Sequence, residues 1–277
     1  MARFQFALKM TAARWKSDRN RCPYCQSCLH QRLQRKWLLI EARKCAYCGL
    51  IFRYPTEGSQ GAAAFYENGY EGQQATDMPA PDALDRFVAG GFAGSEYDKS
   101  QRVSVIKDLR PDGRLFEFGC SWGYALHQFT KAGYETTGFE LARNRADFGR
   151  RSLGLDIRSD WESINGKDHS SFDIVYSDHA LEHTTDLREP LEKFSELLKP
   201  DGHLVIFVPN CGSLVARKMG LGWKAFIGEA HTIAFTDQWY RDNLPRHGFT
   251  IERMFSTDSA KESLFDGEEL VCIARRN

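Results

Sequence analysis

Two C-x2-C pairs set the strongest constraint on this chain: Cys22 and Cys25 in CPYC, then Cys45 and Cys48 in CAYC, with nineteen residues between the pairs. Each C-x2-C turn places two sulfurs on one side of a short knuckle, and four thiolates so disposed can close tetrahedrally on one zinc ion. Pro23 and Gly49 stand where such knuckles turn. Cys28 makes a further C-x2-C step with Cys25 and is the alternative ligand to it, although the pair Cys22 and Cys25 better matches Cys45 and Cys48. A closed four-coordinate site has no position open for chemistry, so this zinc is expected to be structural. The competing reading is a set of reduced cysteines in an unrelated helical segment. Cys120, Cys211 and Cys272 lie among apolar or motif positions, where an unpaired thiol packs as a small hydrophobe in a reducing compartment.

The same segment concentrates positive charge. Over 277 residues, 37 Lys and Arg balance 37 Asp and Glu, which excludes a uniformly basic nucleic-acid binder and a solvated acidic tail. Residues 1–53 alone carry twelve Lys or Arg against Asp18 and Glu41, a net +10, which leaves −10 for the remainder. A basic module therefore precedes an acidic one. At 42% hydrophobic and 27% charged residues, the composition is that of a globular protein with material for at least one sizeable core. No run approaches the roughly 20 apolar residues of a membrane helix, and the opening lacks a long apolar stretch ending in a cleavage site. A cytoplasmic location is expected; the Arg-rich, acid-poor start also resembles an organellar transit peptide.

After CGLIFRYP, the stretch GSQGAAAFYENGYEGQQATDMPAP reads as a linker with aromatic anchors Phe65, Tyr66 and Tyr70. Apolar residues at helical spacing on either side of GGFAGS predict two helices between Asp82 and Leu109. From Arg114, strand-like runs alternate with helical patterns: RLFEFG, YALHQFTKAG, YETTGFEL, a helix, LDIRSD, then FDIVYSD. That β-α-β-α-β order predicts an α/β, doubly wound parallel sheet with ligand chemistry beyond the carboxyl ends of the strands.

The first such loop runs from Glu117 through Gly119, Cys120, Ser121 and Trp122 to Gly123. Gly119 permits a sharp turn, and Gly123 a close helix approach. Glu140, seventeen residues beyond Gly123, can accept from two ribose hydroxyls, and Asp160 with Trp161 adds a polar group and a flat ring after the third strand. Dinucleotide binding is the first rival. It fits poorly, because the loop is G-x-x-x-G rather than G-x-G-x-x-G and a glutamate beside a diphosphate would repel it.

EFGCSWG, the acid in GFEL, FDIVYSDHALEH, LLKPDGHLVIFVPN and the late RHGF together resemble a class I S-adenosylmethionine-dependent methyltransferase over roughly residues 60–277. CPYC…CAYCGLIFRYP…FYENGY is similar to the zinc-ribbon subfamily associated with bacterial sugar, surface-polysaccharide and small-metabolite methylation. The resemblance implies a seven-stranded Rossmann-like sheet. It also implies a zinc-ribbon module over 1–55, a linker and helical lid over 56–110, and a methyltransferase core over 111–277. By it, Glu117 and Gly119 face the methionine end of S-adenosylmethionine, Glu140 holds the ribose, Asp160 and Trp161 flank the adenine, and Ser121, Gly123 and Asp178 complete the cofactor set. Ser121 stands where the family commonly has glycine.

Methyl transfer is an in-line displacement at a carbon already activated by its sulfonium, so the protein must align a nucleophile and, for a hydroxyl, remove its proton. The segment SDHALEH offers His179 and His183 as bases, with His231 in GEAHTIAF as a further candidate. In some related methyltransferases an E-x-x-E-H segment with a later histidine binds a divalent metal; here His179, Glu182, His183 and His231 are the corresponding set, nitrogen-rich enough to favour a transition metal. The alternatives are a general base without metal, or packing and capping residues. H-x-x-E-H also matches an inverted zinc-protease motif, which belongs on a long helix of another fold. Between Asn210 and the helix DQWYRDNLPRHG, Trp223 and Phe226 read equally as lid or as core.

The leading expectation is methyl transfer from S-adenosylmethionine to oxygen, and less so to nitrogen or carbon, of a sugar, polysaccharide or small metabolite. An anionic acceptor would suit the basic module. RNA methylation through that module is the second reading, disfavoured by CGLIFRYP and FYENGY. A non-catalytic scaffold with a cofactor fold is the third, opposed by Glu117, Gly119, Glu140 and Asp160. Oligomeric state is not legible.

Overall fold

The structure is a computed structural model that describes residues 8, 10–14, 20–56, 77–228, 230–257 and 265–277. The expected anchors Phe65, Tyr66 and Tyr70 lie outside the described residues. The chain divides into two compact units, one formed by 1–62, 178–195 and 206–277 and the other by 63–177 and 196–205.

In the second unit, helices α1 (Pro81–Ala89) and α2 (Ser100–Leu109) precede β4 (Gly113–Phe118), α3 (Tyr124–Lys131), β5 (Tyr134–Phe139), α4 (Arg143–Leu153) and β6 (Ile157–Arg158). Three short antiparallel strands come earlier in the chain: β1 (His30–Lys36), β2 (Ile40–Cys45) and β3 (Ile51–Tyr54). β7 (Phe172–Asp178) is buried from Phe172 to Ser177, the continuous apolar run expected of a parallel strand covered on both faces. β4 pairs in parallel with β5 on one side and β7 on the other, so strand order reverses at β4. Helix α3 buries Ala125, Leu126 and Phe129, one helical stripe, against the sheet. Helix α4 ends at Gly154, whose φ of +67° is the left-handed C-terminal cap.

The remaining elements are α5 (Arg188–Leu197), β8 (Leu198–Pro209), α6 (Leu214–Met219), β9 (Ile233–Ala234), α7 (Asp237–Asn243), β10 (Phe249–Ser256) and β11 (Glu269–Arg276). The main sheet has seven strands in the order β10-β11-β8-β7-β4-β5-β6, mostly parallel, with β10 and β11 antiparallel. This is the α/β Rossmann-like architecture the alternation predicts. A second sheet has the order β1-β2-β3-β9, so β3 pairs with a strand nearly two hundred residues later in the chain. Asn210 to Ala234 also packs on this sheet. Ala42 of β2 shares a buried cluster with Cys211, Ala216, Leu221, Phe226, Ile227 and Ala234, and Trp223 packs against it. Phe226 is thus a core residue, and Trp223 is half-buried against that core.

One local expectation differs from the fold: LDIRSD contributes only two residues of strand, because Asp160 turns back to accept from the Ser163 amide at 2.8 Å and starts a 3-10 turn. Within β8, Asp201 takes φ +61° and the strand continues through it. At the start of β7, Asp173 is 4% exposed and meets Arg110 Nη2 and Lys199 Nζ at 2.8 Å each and the Arg114 amide at 2.9 Å.

Candidate cofactor cradle, histidine cluster and cysteine site

The loop between β4 and α3 makes three left-handed steps: Gly119 at φ +77°, Ser121 at +51° and Gly123 at +87°. At Gly123 a Cβ would fall 2.5 Å from Leu155 Cδ1, so that leucine would have to move aside for any side chain there. The amides of Gly119 and Cys120 donate to the Phe139 carbonyl at 2.8 and 3.1 Å, tying the loop to the end of β5. Glu140, the next residue, reaches back: Oε2 accepts from Ser121 N at 2.9 Å and Oε1 from Ala142 N at 2.8 Å. Burial pushes the Glu140 carboxyl upward, and these two amides and Arg145 oppose that shift. Glu117 is 4% exposed at the end of β4.

Each oxygen of Glu140 keeps acceptor capacity for a ribose diol, since a carboxylate has about four lone-pair sites. Ser121 Oγ is buried with no hydrogen-bond partner, a polar atom that a ligand would satisfy. These residues fit the nucleoside end of S-adenosylmethionine. Asp160 caps the turn that follows it, and Trp161 stacks on Phe139 at 4.1 Å between ring centroids, 18° from parallel, and on Phe118 at 6.0 Å. One side of the indole is thus engaged by phenylalanine.

Trp122 has no place among the sequence candidates. It is fully buried, and Leu84, Phe92 and Tyr97 of the α1–α2 region pack around it; the Tyr97 ring lies 5.0 Å away. The cofactor loop and the preceding helices therefore share one aromatic cluster. An aromatic inside a Gly-rich loop was the available signal.

The histidine cluster belongs to the first unit. Directly after β7, His179 takes φ +50°. Its Nε2 lies 3.0 Å from Glu269 Oε1 and its Nδ1 3.3 Å from Glu182 Oε1. Burial lowers its pKa, but its pairing with the Glu182 and Glu269 carboxylates and the charge of Asp178 outweigh this and raise it to about 10, which favours the protonated ring. Asp178, His179 and Glu269 form one group, and Glu182, His183 and His231 another, each with ligand atoms within 4.8 Å of one another. Of the four expected second-metal residues, three come together and His179 joins the other group. Glu269, on β11, is legible only from topology.

His231 reaches His183 because the Thr232 amide donates to the Glu182 carbonyl at 2.9 Å, which places the two rings 4.7 Å apart and nearly perpendicular. His183 Nδ1 lies 3.2 Å from the Ala230 carbonyl and His231 Nδ1 2.9 Å from that of Ala225. Each Nδ1–H donates to a carbonyl, which fixes both rings, and His183 Nε2 lies 3.8 Å from Glu182 Oε1. Burial pushes His183 down to about 4 against the opposing pull of Glu182. Glu182 is 1% exposed, and neither of its oxygens has a geometrically formed hydrogen bond.

The cysteine site is compact. Cys22 Sγ lies 3.5 Å from Cys48 Sγ, Cys25 Sγ lies 3.5 Å from Cys45 Sγ, and all four sulfurs fall within 4.8 Å of one another. Zinc–sulfur bonds of about 2.3 Å in a tetrahedron put sulfurs just under 4 Å apart, so the four are compatible with one ion. Cys28 is exposed and outside the group. Gly49, at φ +77°, turns the second knuckle.

A family model for the methyltransferase domain matches residues 94–253. The chain belongs to the methyltransferase domain family. Within that domain lie the β4–α3 loop, Glu140 and the whole Glu182–His183–His231 cluster; the four cysteines lie outside the matched residues. A ubiquinone biosynthesis O-methyltransferase from Hydrogenovibrio crunogenus is 25% identical over 122 residues, covering 41% of this chain and 51% of that protein. An indolepyruvate C-methyltransferase from Streptomyces griseus is 30% identical over 108 residues, covering 35% of this chain and 33% of that one. The chain thus spans about half the length, or less, of these curated relatives. Among solved structures, a geranyl diphosphate C-methyltransferase from Streptomyces coelicolor A3(2) is similar over 79% of this chain and 98% of its own, with a TM-score of 0.52 and 16% identity. That is a likeness of fold.

Proposed function

We propose that this member of the methyltransferase domain family binds S-adenosylmethionine in the β4–α3 loop cradle and transfers its methyl group to an oxygen of a small-molecule acceptor, such as a sugar, a polysaccharide unit or a small metabolite. The observation that carries the reading is the Glu140 carboxylate, locked by the Ser121 and Ala142 amides at the end of β5 beside a left-handed loop. The names of the relatives place their acceptors among small organic molecules, through oxygen in one and carbon in the other. Bound there, the cofactor supplies an electrophilic methyl on a sulfonium. As the oxygen–carbon bond forms and the carbon–sulfur bond breaks, the acceptor's proton needs a base, and His183 and His231, each ring held at Nδ1 by a backbone carbonyl, are the residues we assign to it. His179, paired with Glu182 and Glu269, holds Glu182 instead.

A second reading rests on Glu182. A buried carboxylate without a formed hydrogen bond, beside two imidazoles whose other nitrogens are fixed by backbone carbonyls, is also a divalent-metal donor set. Glu182, His183 and His231 would hold that ion, which would lower the pKa of an acceptor hydroxyl. Cys22, Cys25, Cys45 and Cys48 we assign to structural zinc.

The test is incubation with methyl-labelled cofactor and separate pools of nucleotide sugars, polysaccharide, small metabolites and RNA. Label in a small-molecule or glycan pool supports the proposal; label in RNA alone moves the acceptor to nucleic acid. No label, with no S-adenosylhomocysteine binding by calorimetry, overturns it. Chelation that abolishes transfer, restored by added manganese or magnesium, selects the metal reading. Transfer that survives chelation but falls about a hundredfold or more in His183→Ala selects the base.

A further inference from the structure

The hairpin joining β1 and β2 ends in residues that turn geometry alone would not choose. Trp37 and Leu38 form its tip at φ +55° and +57°, and the Leu39 amide donates to the Lys36 carbonyl at 3.1 Å. Such positions favour glycine, asparagine or aspartate. Instead the tip carries a large aromatic and an aliphatic side chain, 64% and 69% exposed. Leu33 and Leu29 are exposed nearby in the sequence, and β1 is the edge strand of its sheet. Apolar surface is therefore gathered along one ribbon rather than scattered.

Cations surround it. Glu41, at the start of β2, is met by four guanidiniums: Arg43 at 2.6 Å, Arg14 at 3.1 Å, Arg35 at 3.7 Å and Arg32 at 3.9 Å. Within this group of described residues four guanidiniums face one carboxylate; Arg32 and Arg35 are the more exposed, at 59% and 35%, and Arg14 and Arg43 the more covered, at 25% and 16%. Arg35 also donates to the Leu38 carbonyl at 3.1 Å, and Lys36 Nζ sits 4.7 Å from the centre of the Trp37 ring. Arg32, Arg35 and Arg43 of the cluster and the apolar tip are thus parts of one hairpin.

We propose that the β1–β2 hairpin docks this protein on an anionic lipid surface, with Trp37 and Leu38 entering the interface and the arginine cluster meeting lipid phosphates. An indole beside cations suits the headgroup level of a bilayer, and basic residues there are drawn to acidic lipids. An exposed leucine has no base to stack on, which favours lipid over nucleic acid, where aromatic platforms do the binding. The docking is peripheral: among the described residues no helix is long and apolar enough to cross a membrane. It is independent of the proposed methyl transfer.

The test is flotation of the full chain with vesicles of equimolar phosphatidylglycerol and phosphatidylcholine, against phosphatidylcholine alone. We expect co-flotation with the acidic vesicles, at least about tenfold less with the neutral ones, and weakening by salt. Trp37→Asn with Leu38→Gly gives the turn the residues its geometry prefers, so the hairpin keeps its fold while partition falls about tenfold or more. S-adenosylhomocysteine affinity should be unchanged in that variant. No flotation, equal binding to neutral vesicles, or acidic-vesicle binding indifferent to the tip substitutions would each overturn the proposal. So would tighter, Trp37-dependent binding to single-stranded RNA.

Discussion

The Ser121 amide donates to Glu140 Oε2 at 2.9 Å, so the acid read as the ribose holder also shapes the loop that cradles the cofactor. Removing it takes away both an acceptor for the ribose and an anchor of the loop.

Glu140→Ala should weaken S-adenosylhomocysteine binding by about 1.5–3 kcal/mol, roughly tenfold to a hundredfold, measured by calorimetry. Glu140→Gln keeps an acceptor oxygen and should lose less. Equal affinity in wild type and both variants would place the ribose elsewhere.

Ser121 occupies a left-handed position at φ +51°, a conformation glycine adopts without strain. Ser121→Gly should unfold in urea no more easily than wild type, whereas Ser121→Val, branched at Cβ, should lose about 1–2 kcal/mol. A Ser121→Val protein as stable as wild type would contradict the backbone geometry.

Cys45→Ser should release the zinc we assign to the four sulfurs, read by a colorimetric chelator after unfolding, and lower the melting temperature. Cys28→Ser should keep a full equivalent of metal, because Cys28 is exposed and outside the cluster. Full metal retention in Cys45→Ser would remove Cys45 from the ligand set, and metal loss in Cys28→Ser would add Cys28 to it.

Asp173 gives a pH signature. Burial pushes its carboxyl up, but the Lys199 hydrogen bond, the Arg114 amide and the charges of Lys199 and Arg110 outweigh burial and hold it below the usual range. A depressed carboxylate contributes stability that is complete above its unfolded pKa, about 4, and is lost as pH falls through the folded value. Asp173→Asn should therefore cost about 1–3 kcal/mol at neutral pH, and its urea midpoint should converge with that of wild type in acid. A constant difference across the pH range would show that the ion pairs contribute nothing.

The β-α-β framework was legible because parallel strands buried on both faces read as short apolar runs: RLFEF and FDIVYS became β4 and β7 almost residue for residue. The cofactor loop was legible because its glycines answer a local steric demand. What could not be read depends on contacts between distant residues. Glu269 reaches His179 across 90 positions, and Thr232 reaches the Glu182 carbonyl across 50, so nothing local marks either. Trp161 has the composition of an adenine platform, yet its neighbours in space, Phe139 and Phe118, decide what its ring touches. The insert around Trp223 and Phe226 looked as much like a lid as like a core until Ala42 and Cys211 were found beside it.

The pairing of β3 with β9 sets an order of assembly. A ribosome delivers both cysteine knuckles long before β9, and Ile51 and Phe52, paired with β2 on one side, gain their second strand partners only when Ile233 and Ala234 have been made. Until then an unpaired sheet edge waits on the nascent chain, open to the wrong neighbour. The cysteine-bearing sheet is synthesised before β9 yet completed only with it, and a chain cut short before residue 233 would leave that sheet unfinished.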